Sequence, residues 1–273
     1  MRIWVNGELL DSAEATVSAL DHGLTVGDGV FETVKAVDSR PFALGRHLDR
    51  LERSARGLGL PAPDRELVRA ACAEVLAADP VPLGRLRITY TGGLGPLGSE
   101  RSGEGSTLVV ALSASEPRPE TAAVVTVPWT RNEHGALAGI KTTSYAENVI
   151  ALARAQEHGA SEAILANTAG RLCEGTGSNI FVVLDGQVLT PPLSSGCLAG
   201  ITRALVLQWS DAQEADLPLS VLHDAEEVFL TGSLRDVQAV SRVDDRELPG
   251  APGPVTARLM AVFAERSAAD LEP

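Results

Sequence analysis

Residues 174–190, EGTGSNIFVVLDGQVLT, decide the fold that this sequence predicts. Glu174 opens a turn of small residues, and two apolar runs follow at 179–184 and 187–189. Asp185-Gly186 separates these runs, and this dipeptide suits the type I′ turn of a β-hairpin. An acid that opens such a turn is either a surface charge or a functional carboxylate, and the residue alone leaves both interpretations open.

A helix with an unpaired amino-terminal end is predicted after this hairpin. Gly200-Ile-Thr-Arg203 begins the helix, which continues to about Trp209. The first amides of a helix have no partner within it and carry the positive end of its dipole, so they favour an anion. Ordinary helix capping is the alternative explanation for a single example of this kind.

A lysine in an unusual setting precedes the stretch. Lys141 follows the apolar residues 137–140 and precedes a predicted helix, which begins near Ser144 with a Ser144–Glu147 capping box. Most lysines are solvated surface charges. A lysine at the end of a buried segment loses solvent, however, which favours the uncharged amine that forms Schiff bases.

The rest of the chain divides at a linker, residues 115–120, into two lobes. The first lobe has segregated strands and helices, and the second mixes them, so we expect an α+β lobe and an α/β lobe. The further predicted elements are a hairpin around Asn6-Gly7, strands at 30–37, 86–91, 107–112, 124–127, 162–166 and 227–230, and helices at 44–58, 65–78 and 254–268.

The composition excludes several classes of protein. The 273 residues carry 23 basic and 36 acidic side chains, a net charge of −13, so we expect no binding to nucleic acid or anionic membrane. No apolar run approaches the roughly 18 residues that span a bilayer, and the first residues do not resemble a signal peptide. Three distant cysteines and five scattered histidines predict a cytoplasmic protein with reduced thiols and no metal site.

Two further patterns have competing interpretations. Gly93-Leu-Gly-Pro-Leu-Gly98 matches the dinucleotide-binding GxGxxG motif, but Pro96 and the absence of a following helical period favour a loop, either mobile or closing over a substrate. Arginines spaced along the helix at 44–58 form either a solvated face, paired with Asp49 and Glu52, or a phosphate site if one of them turns inward. This stripe comprises Arg46, Arg50, Arg53 and Arg56.

Taken together, these segments resemble the class IV (fold-type IV) pyridoxal-phosphate enzymes. That family contains branched-chain and D-amino-acid aminotransferases and aminodeoxychorismate lyase. The resemblance rests on Glu174-x-Thr-x-x-Asn-Ile-Phe181, Val188-Leu-Thr190 and Leu198-Ala-Gly-Ile-Thr-Arg203, with supporting segments at 27–33 and 47–51. It implies a two-lobed fold like that of D-amino-acid aminotransferase, of mixed α+β and α/β class, with the cofactor between the lobes and a homodimeric assembly. The smaller domain would span 1–116, and the larger domain, 121–273, would carry the cofactor-binding lysine and glutamate.

The resemblance also implies a role for each matching residue. Lys141 would bind the aldehyde of pyridoxal 5′-phosphate and act as the proton-transfer base. Glu174 would pair with the pyridine nitrogen, and Tyr145 would hydrogen-bond the phenolic oxygen. The phosphate would be held by Arg50, by the start of the helix at Gly200, Ile201 and Thr202, and by Ser233.

Within the family, several segments favour the lyase, which converts 4-amino-4-deoxychorismate to p-aminobenzoate and pyruvate in folate biosynthesis. Leu137-Ala-Gly-Ile-Lys141 and Asp21-His22-Gly23 are similar to lyase segments. The loop after Tyr90 lacks the Arg-and-His carboxylate trap of D-amino-acid aminotransferases, and Phe31 stands where those enzymes usually have tyrosine. The substrate candidates are Phe31, Arg87, Arg131 and Arg101.

An aminotransferase of the same family is the alternative to the lyase. Two other classes remain open from the residues themselves, a nucleotide-binding oxidoreductase and a non-catalytic binding protein.

Overall fold

The computed structural model describes residues 1–103, 105–248 and 250–273, which divide into two units. The first unit contains Met1–Pro117, Ile140–Tyr145 and Leu271–Pro273. The second contains Arg118–Gly139 and Ala146–Asp270. The chain first passes from one unit to the other within the predicted linker.

The first unit is built on one antiparallel sheet of six strands. Its elements are β1 (Arg2–Val5), β2 (Glu8–Asp11), α1 (His22–Thr25), β3 (Gly29–Val37), β4 (Arg40–Pro41), α2 (Leu44–Leu58), α3 (Arg65–Ala78), β5 (Leu83–Thr91) and β6 (Thr107–Ala114). The strand order is β2-β1-β6-β5-β3-β4. Asn6 and Gly7 both adopt positive φ, as the type I′ turn between β1 and β2 requires.

Helix α2 lies against this sheet because one of its faces is apolar. Leu44, Leu48, Leu51 and Ala55 recur at spacings of three and four and are buried in a core shared with α3 and β3. Gly59, in the left-handed conformation, ends the helix at the predicted position. Strand β3 and helix α2 together position the first group of candidate residues.

The second unit contains a nine-stranded sheet. Its elements are β7 (Thr121–Arg131), α4 (Ala146–Glu157), β8 (Glu162–Asn167), β9 (Leu172–Gly175), β10 (Asn179–Leu184), β11 (Gln187–Thr190), a 3-10 turn (Leu193–Ser195), α5 (Ile201–Trp209), β12 (Gln213–Glu214), α6 (Val221–Asp224), β13 (Glu227–Gly232), β14 (Asp236–Val243), β15 (Arg246–Glu247) and α7 (Pro254–Ala269). The order is β12-β11-β10-β13-β14-β7-β8-β9, with β15 paired to β14.

The stretch at 174–190 folds as the sequence predicts. Strands β10 and β11 pair antiparallel around Asp185 and Gly186, which both have positive φ. Buried residues of β10, β13 and β14 form the core of this sheet. The end of β9 thereby presents Glu174 beside the hairpin.

Four strands of the second unit were not predicted, namely β9, β12, β14 and β15. The longest of them is β14 (Asp236–Val243), which joins β13 to β7 in the middle of the sheet. Gln238 interrupts its apolar run, yet this side chain is buried because its amide donates to the Pro119 carbonyl oxygen at 2.6 Å. A buried polar residue whose hydrogen-bond partner is distant in sequence breaks the apolar pattern by which a central strand is recognised.

The assignment of Lys141 to the larger domain requires a correction. Ile140–Tyr145 belong to the first unit. The backbone N–H of Phe31 donates to the Lys141 carbonyl oxygen at 3.0 Å, and that of Thr143 donates to the Gly29 carbonyl oxygen at 2.8 Å. These long-range hydrogen bonds join the Lys141 segment to β3. They therefore place it in the first unit, although it follows the linker in the sequence.

No helix in the described ranges is long and apolar enough to cross a membrane.

Candidate active site

The backbone of Lys141 is fixed on two sides. On one side it is bonded to β3 through Phe31, next to a bridge between Val30 and Thr142. On the other side its N–H donates to the Ser54 hydroxyl of α2 at 3.3 Å. Ser54 is 3% exposed, so this acceptor is held within the core of the unit. The lysine therefore projects from a rigid segment rather than from a free loop.

Three side chains surround the Phe31 ring, and we term these four residues the lysine cluster. It comprises Phe31, Arg87, Lys141 and Tyr145. Lys141 Nζ lies 4.5 Å from the ring centroid, and the guanidinium carbon of Arg87 lies 3.3 Å from it. The Tyr145 ring meets Phe31 edge to face at 5.3 Å. Four of the sequence-predicted residues thus meet at one aromatic ring.

Arg87 supplies a cation to this cluster. Its Nε–H donates to the Thr89 hydroxyl at 3.3 Å, and no carboxylate among the described residues forms an ion pair with it. Burial lowers the pKa of Arg87 to about 10, although the charges of Tyr145 and Glu32 act in the opposite direction. Its guanidinium remains charged at neutral pH and is suited to bind an anionic substrate group.

Arg50 lies in a buried triad with Glu32 and His47. Its Nε–H and Nη2–H donate to the two oxygens of Glu32 at 2.8 and 2.6 Å. His47 Nδ1 lies 2.7 Å from the same carboxylate. Glu32 is completely buried and lies on another element 18 positions away, so spacing alone does not identify it as the partner of Arg50. The carboxylate fixes the orientation of the guanidinium that the family resemblance assigns to the phosphate.

The electrostatics of the triad define its protonation state. Burial alone would raise the pKa of Glu32, but Arg50 and His47 lower it well below the usual range. Burial lowers the pKa of His47 and outweighs the attraction of Glu32, with a further contribution from Lys141. His47 is therefore a neutral donor to an ionised Glu32.

The two acids expected to pair with the arginine stripe bind an arginine on another helix instead. Asp49 and Glu52 pair with Arg65 of α3, at 2.6 and 3.4 Å, rather than with the arginines of their own helix. Arg46 donates to the Pro273 carbonyl oxygen at 2.6 Å. Of the four stripe residues, Arg50 is the one that turns into the core, as the inward-facing alternative requires.

Glu174 lies in a separate cluster within the second unit, the glutamate cluster, with Arg131, Asn148 and the amide of Leu198. Its Oε2 accepts the Leu198 N–H at 2.9 Å, and its Oε1 lies 3.1 Å from Arg131 Nε. Glu174 is 8% exposed. A buried carboxylate with a hydrogen-bond donor at one oxygen and a cation beside the other is oriented by the protein, which excludes the surface-charge interpretation.

The spacing of the 174–203 motif has a geometric explanation. Asn179 donates its amide to the Leu198 carbonyl oxygen at 2.9 Å, while the N–H of Leu198 binds Glu174. A Cβ on Gly200 would overlap the Asn179 side-chain oxygen. The asparagine, the glutamate and the glycine are therefore parts of one packed junction, which joins β9 and β10 to the start of α5.

This junction leaves donors of the kind that bind a phosphate. Gly200 caps α5 without a side-chain hydrogen bond, so the amides at Ile201 and Thr202 begin a helix with no capping side chain. Helix α5 packs against β13, and Ser233 follows that strand directly. In the described part of the chain, the buried hydroxyls of Ser178 and Thr231 have no hydrogen-bond partner. These groups fit a bound phosphate chemically.

The GxGxxG loop does not begin a helix, which removes the structural basis of a dinucleotide site. His22 Nε2 bonds the Pro96 carbonyl oxygen at 2.9 Å, and a Cβ on Gly95 would overlap the His22 ring. Arg101 donates to both oxygens of Asp28 and to the carbonyl oxygens of Leu58 and Gly59. Arg101 thus ties the loop to the end of α2, so it is a poor substrate candidate.

The residues that support the candidates, rather than the candidates themselves, are not evident from the sequence. Glu32, His47, Ser54 and Asn148 each contact a named residue from another element. A partial signal existed for His47, which lies three positions before Arg50 on one helix face. The other partners are 17 to 87 positions away from the residue they support, and no local pattern links them.

The chain is similar to known proteins over almost its whole length. Residues 29–243 match the family model for amino-transferase class IV. A "putative branched-chain-amino-acid aminotransferase" of Methanocaldococcus jannaschii is 32% identical over 276 residues, which cover 97% of this chain and 96% of that protein.

Two solved structures show related folds. The T.th. branched-chain amino acid aminotransferase, complexed with N-(5′-phosphopyridoxyl)-L-glutamate, has a TM-score of 0.88 at 30% identity and covers 97% of this chain and 93% of its own. A "putative 4-amino-4-deoxychorismate lyase" of Legionella pneumophila has a TM-score of 0.87 at 26% identity and covers 93% of this chain and 97% of its own. The two-sheet architecture is thus the fold-type IV architecture that the sequence predicts.

Proposed function

Because the chain belongs to the amino-transferase class IV family, we propose that it is a pyridoxal-phosphate enzyme in which Lys141 carries the cofactor and moves the substrate proton. The related structure with a phosphopyridoxyl ligand supports this cofactor. Pyridoxal phosphate, when bound, supplies an electron sink for the carbon that loses a proton. Every other contribution comes from side chains and amides of the protein.

The binding roles follow from the donors of the two units. Glu174, oriented by the Leu198 N–H and paired with the Arg131 cation, would keep a proton on the pyridine nitrogen. Arg50 and the first amides of α5 would bind the phosphate, whose two negative charges suit a guanidinium and a helix start. Ser233 and Tyr145 would donate to the phosphate and the phenolic oxygen.

Lys141 is suited to proton transfer because its backbone is rigid and its amine lies against an aromatic ring. Nζ would take the proton from the amine-bearing carbon of the substrate once the substrate amine has displaced it. Arg87 lies on the same ring, so it would hold a substrate carboxylate within reach of that amine. This arrangement suits a substrate that has both an amine and a carboxylate, and it does so for both candidate reactions described below.

For the reaction itself, we propose the lyase, which acts on 4-amino-4-deoxychorismate. The observation that carries this choice is the loop at 92–98, which has no arginine and whose histidine neighbour, His22, is bonded to Pro96. This loop would otherwise hold the carboxylate trap of a D-amino-acid aminotransferase. After Lys141 removes the proton, the bond between the ring carbon and the enolpyruvyl oxygen would break with its electron pair leaving on the oxygen. The released enolpyruvate would take up a proton at its methylene carbon to become pyruvate, and loss of the leaving group would make the ring aromatic.

Amino transfer to a 2-oxo acid is the second candidate, which the names of the M. jannaschii and T.th. relatives favour. Lys141 would take the same proton in both reactions. The proton step therefore does not distinguish the two activities, and the fate of the substrate side chain does.

The product distinguishes the two reactions. Purified holoenzyme would be given 4-amino-4-deoxychorismate and, in parallel, L- or D-amino acids with 2-oxoglutarate or pyruvate. Release of p-aminobenzoate, lost in a Lys141→Ala variant, supports the lyase. Amino transfer without an aromatic product rejects the lyase and supports the second candidate.

The family relationship also supports a homodimer in the cytoplasm. Val149 and Ile150 lie side by side on α4 with 62% and 56% of their surfaces exposed, which suits a subunit interface. Three buried free thiols fit a reducing compartment. Light scattering of the purified protein would give the mass of a dimer, and a monomer mass would reject the assembly.

A further inference from the structure

We propose that Arg131 is a positioning residue for Glu174 rather than a ligand for the substrate. Sequence analysis grouped Arg131 with the substrate candidates. The structure places it at the end of β7, in contact with the carboxylate assigned to the cofactor. The proposal rests on the proposed function, since it explains how the pyridine-binding carboxylate is kept in its working state.

Arg131 is fixed by contacts on both sides of its guanidinium. Nε lies 3.1 Å from Glu174 Oε1 but without the alignment of a hydrogen bond, so the attraction is that of an ion pair. Nη2–H donates to the Asn148 side-chain oxygen at 2.7 Å. Asn148 is 8% exposed and lies on α4, so a buried amide orients the arginine from a second element.

A third contact is of a different kind. Glu147 lies 3.7 Å from Arg131 Nη1, but its side chain is 82% exposed. Such an exposed pair contributes little, whereas the Arg131 and Glu174 side chains are only 18% and 11% exposed. Glu147 therefore provides a matched control, because it touches the same arginine without lying in the buried contact.

The position of the charge determines its effect. A cation in contact with a carboxylate stabilises the anionic form of that carboxylate. With Arg131 present, Glu174 stays ionised and a proton shared with a ring nitrogen remains on the nitrogen. The Leu198 N–H orients the other carboxylate oxygen and cannot replace this charge. Without the cation, Glu174 would lose both an orienting neighbour and its bias toward the ionised state.

The test uses four single variants of the full chain. Arg131→Gln removes the charge, and Arg131→Lys retains it. Asn148→Leu removes the residue that orients the arginine, and Glu147→Gln removes only the exposed acid. For each variant, the dissociation constant for pyridoxal phosphate is measured on the apoenzyme, together with KM, kcat and the pH at which the absorption band of the bound cofactor changes.

We expect Arg131→Gln to weaken cofactor binding about tenfold, the equivalent of one pK unit of charge interaction, and to move the pH of the band change. Arg131→Lys should recover most of the affinity. Asn148→Leu should change affinity in the same direction by a smaller factor, and it tests the proposal even if Arg131→Gln does not fold. Glu147→Gln should stay within twofold of the wild type.

A rise in KM with unchanged cofactor affinity and unchanged band pH would overturn the proposal and return Arg131 to the substrate. Rejection of this role for Arg131 can be distinguished from rejection of the proposed function. If borohydride reduction of the wild-type holoenzyme tags Lys141 while Arg131→Gln binds the cofactor normally, only the inference on Arg131 is rejected. If the wild type shows no tag at Lys141, the proposed function is rejected as well.

Discussion

Glu32 and Arg50 form a bidentate ion pair inside the first unit, with donor–acceptor distances of 2.8 and 2.6 Å. Glu32 has no exposed surface and Arg50 is 4% exposed. The arginine assigned to the phosphate is thus already neutralised and oriented by the protein before a cofactor binds. A charge held in this way by a fully buried partner depends strongly on that partner.

Replacement of Glu32 tests this dependence. Glu32→Gln removes the carboxylate that accepts both hydrogen bonds from the buried guanidinium of Arg50, so the free energy of unfolding of the apoenzyme should fall by about 3–5 kcal/mol. Denaturant unfolding followed by circular dichroism gives this value. Asp49→Asn, next to Arg50 on α2, is the control. The Asp49 carboxylate is 51% exposed, so its ion pair should contribute no more than about 1 kcal/mol to the free energy of unfolding. Equal losses in the two variants would contradict a special role for the buried pair.

The neutral state of His47 predicts a dependence of stability on pH. Burial lowers the pKa of His47 in the folded protein, so below about pH 6.5 the unfolded chain binds a proton that the folded chain does not. Stability should therefore fall as the pH decreases from 7 to 5. Glu32, whose pKa is also lowered, adds a second loss once the pH falls below about 4.3, the value of an unfolded glutamate.

The His47→Asn variant separates the two contributions. The asparagine amide can still donate to Glu32 but does not titrate, so the loss between pH 7 and 5 should become smaller while the loss at lower pH remains. Unfolding curves at a series of pH values provide the measurement. An unchanged slope between pH 7 and 5 would mean that His47 has the same pKa in the folded and unfolded chains, and it would contradict the lowered pKa.

The junction around Gly200 predicts different outcomes for two glycines. A Cβ at Gly200 would overlap the Asn179 side-chain oxygen and displace the Leu198 backbone that binds Glu174. Gly200→Ala should therefore weaken pyridoxal-phosphate affinity by about tenfold or more. Gly177→Ala is the matched control, since a Cβ there meets no atom within 4 Å. Spectroscopic titration of both apoenzymes measures the effect, and similar affinities would show that the junction does not set the site.

Arg87 predicts a change in substrate affinity. Loss of a charged hydrogen bond costs about 1.5–3 kcal/mol, so Arg87→Gln should raise KM for a carboxylate substrate roughly 10- to 100-fold. Arg85→Gln, an exposed position on the same strand, should leave KM within twofold. Steady-state kinetics of both variants measure the two KM values. A normal KM for Arg87→Gln, combined with a weakened cofactor affinity, would remove Arg87 from the substrate site.

Sequence patterns predicted those parts of the molecule that depend on neighbouring residues. The bounds of α2 and the β10–β11 hairpin follow from helical spacing and from Asp185-Gly186, because both signals are local. The assignment of Glu174 as a functional carboxylate came from its motif, and it stays a prediction, although the structure shows that the side chain is buried. The contacts that hold it, from Arg131 and Leu198, were not readable from the sequence.

What the sequence did not reveal depends on long-range pairing. Lys141 lies far from β3 in the chain, so its membership of the first unit becomes visible only through the bonds to Gly29 and Phe31. Arg50 was one of four similar arginines, and its inward orientation is set by Glu32 on another element. Side-chain partners on separate elements cannot be inferred from spacing in one chain.

The central claim is that the Lys141 amine carries the cofactor, and its most direct test is chemical. Holoenzyme prepared with pyridoxal phosphate is reduced with borohydride, digested and mapped by mass spectrometry, with Lys35 serving as an internal comparison on the same unit. We expect one pyridoxyl group, on Lys141, and none in a Lys141→Ala variant. A pyridoxyl group on another lysine, or none in the wild type, would contradict the claim.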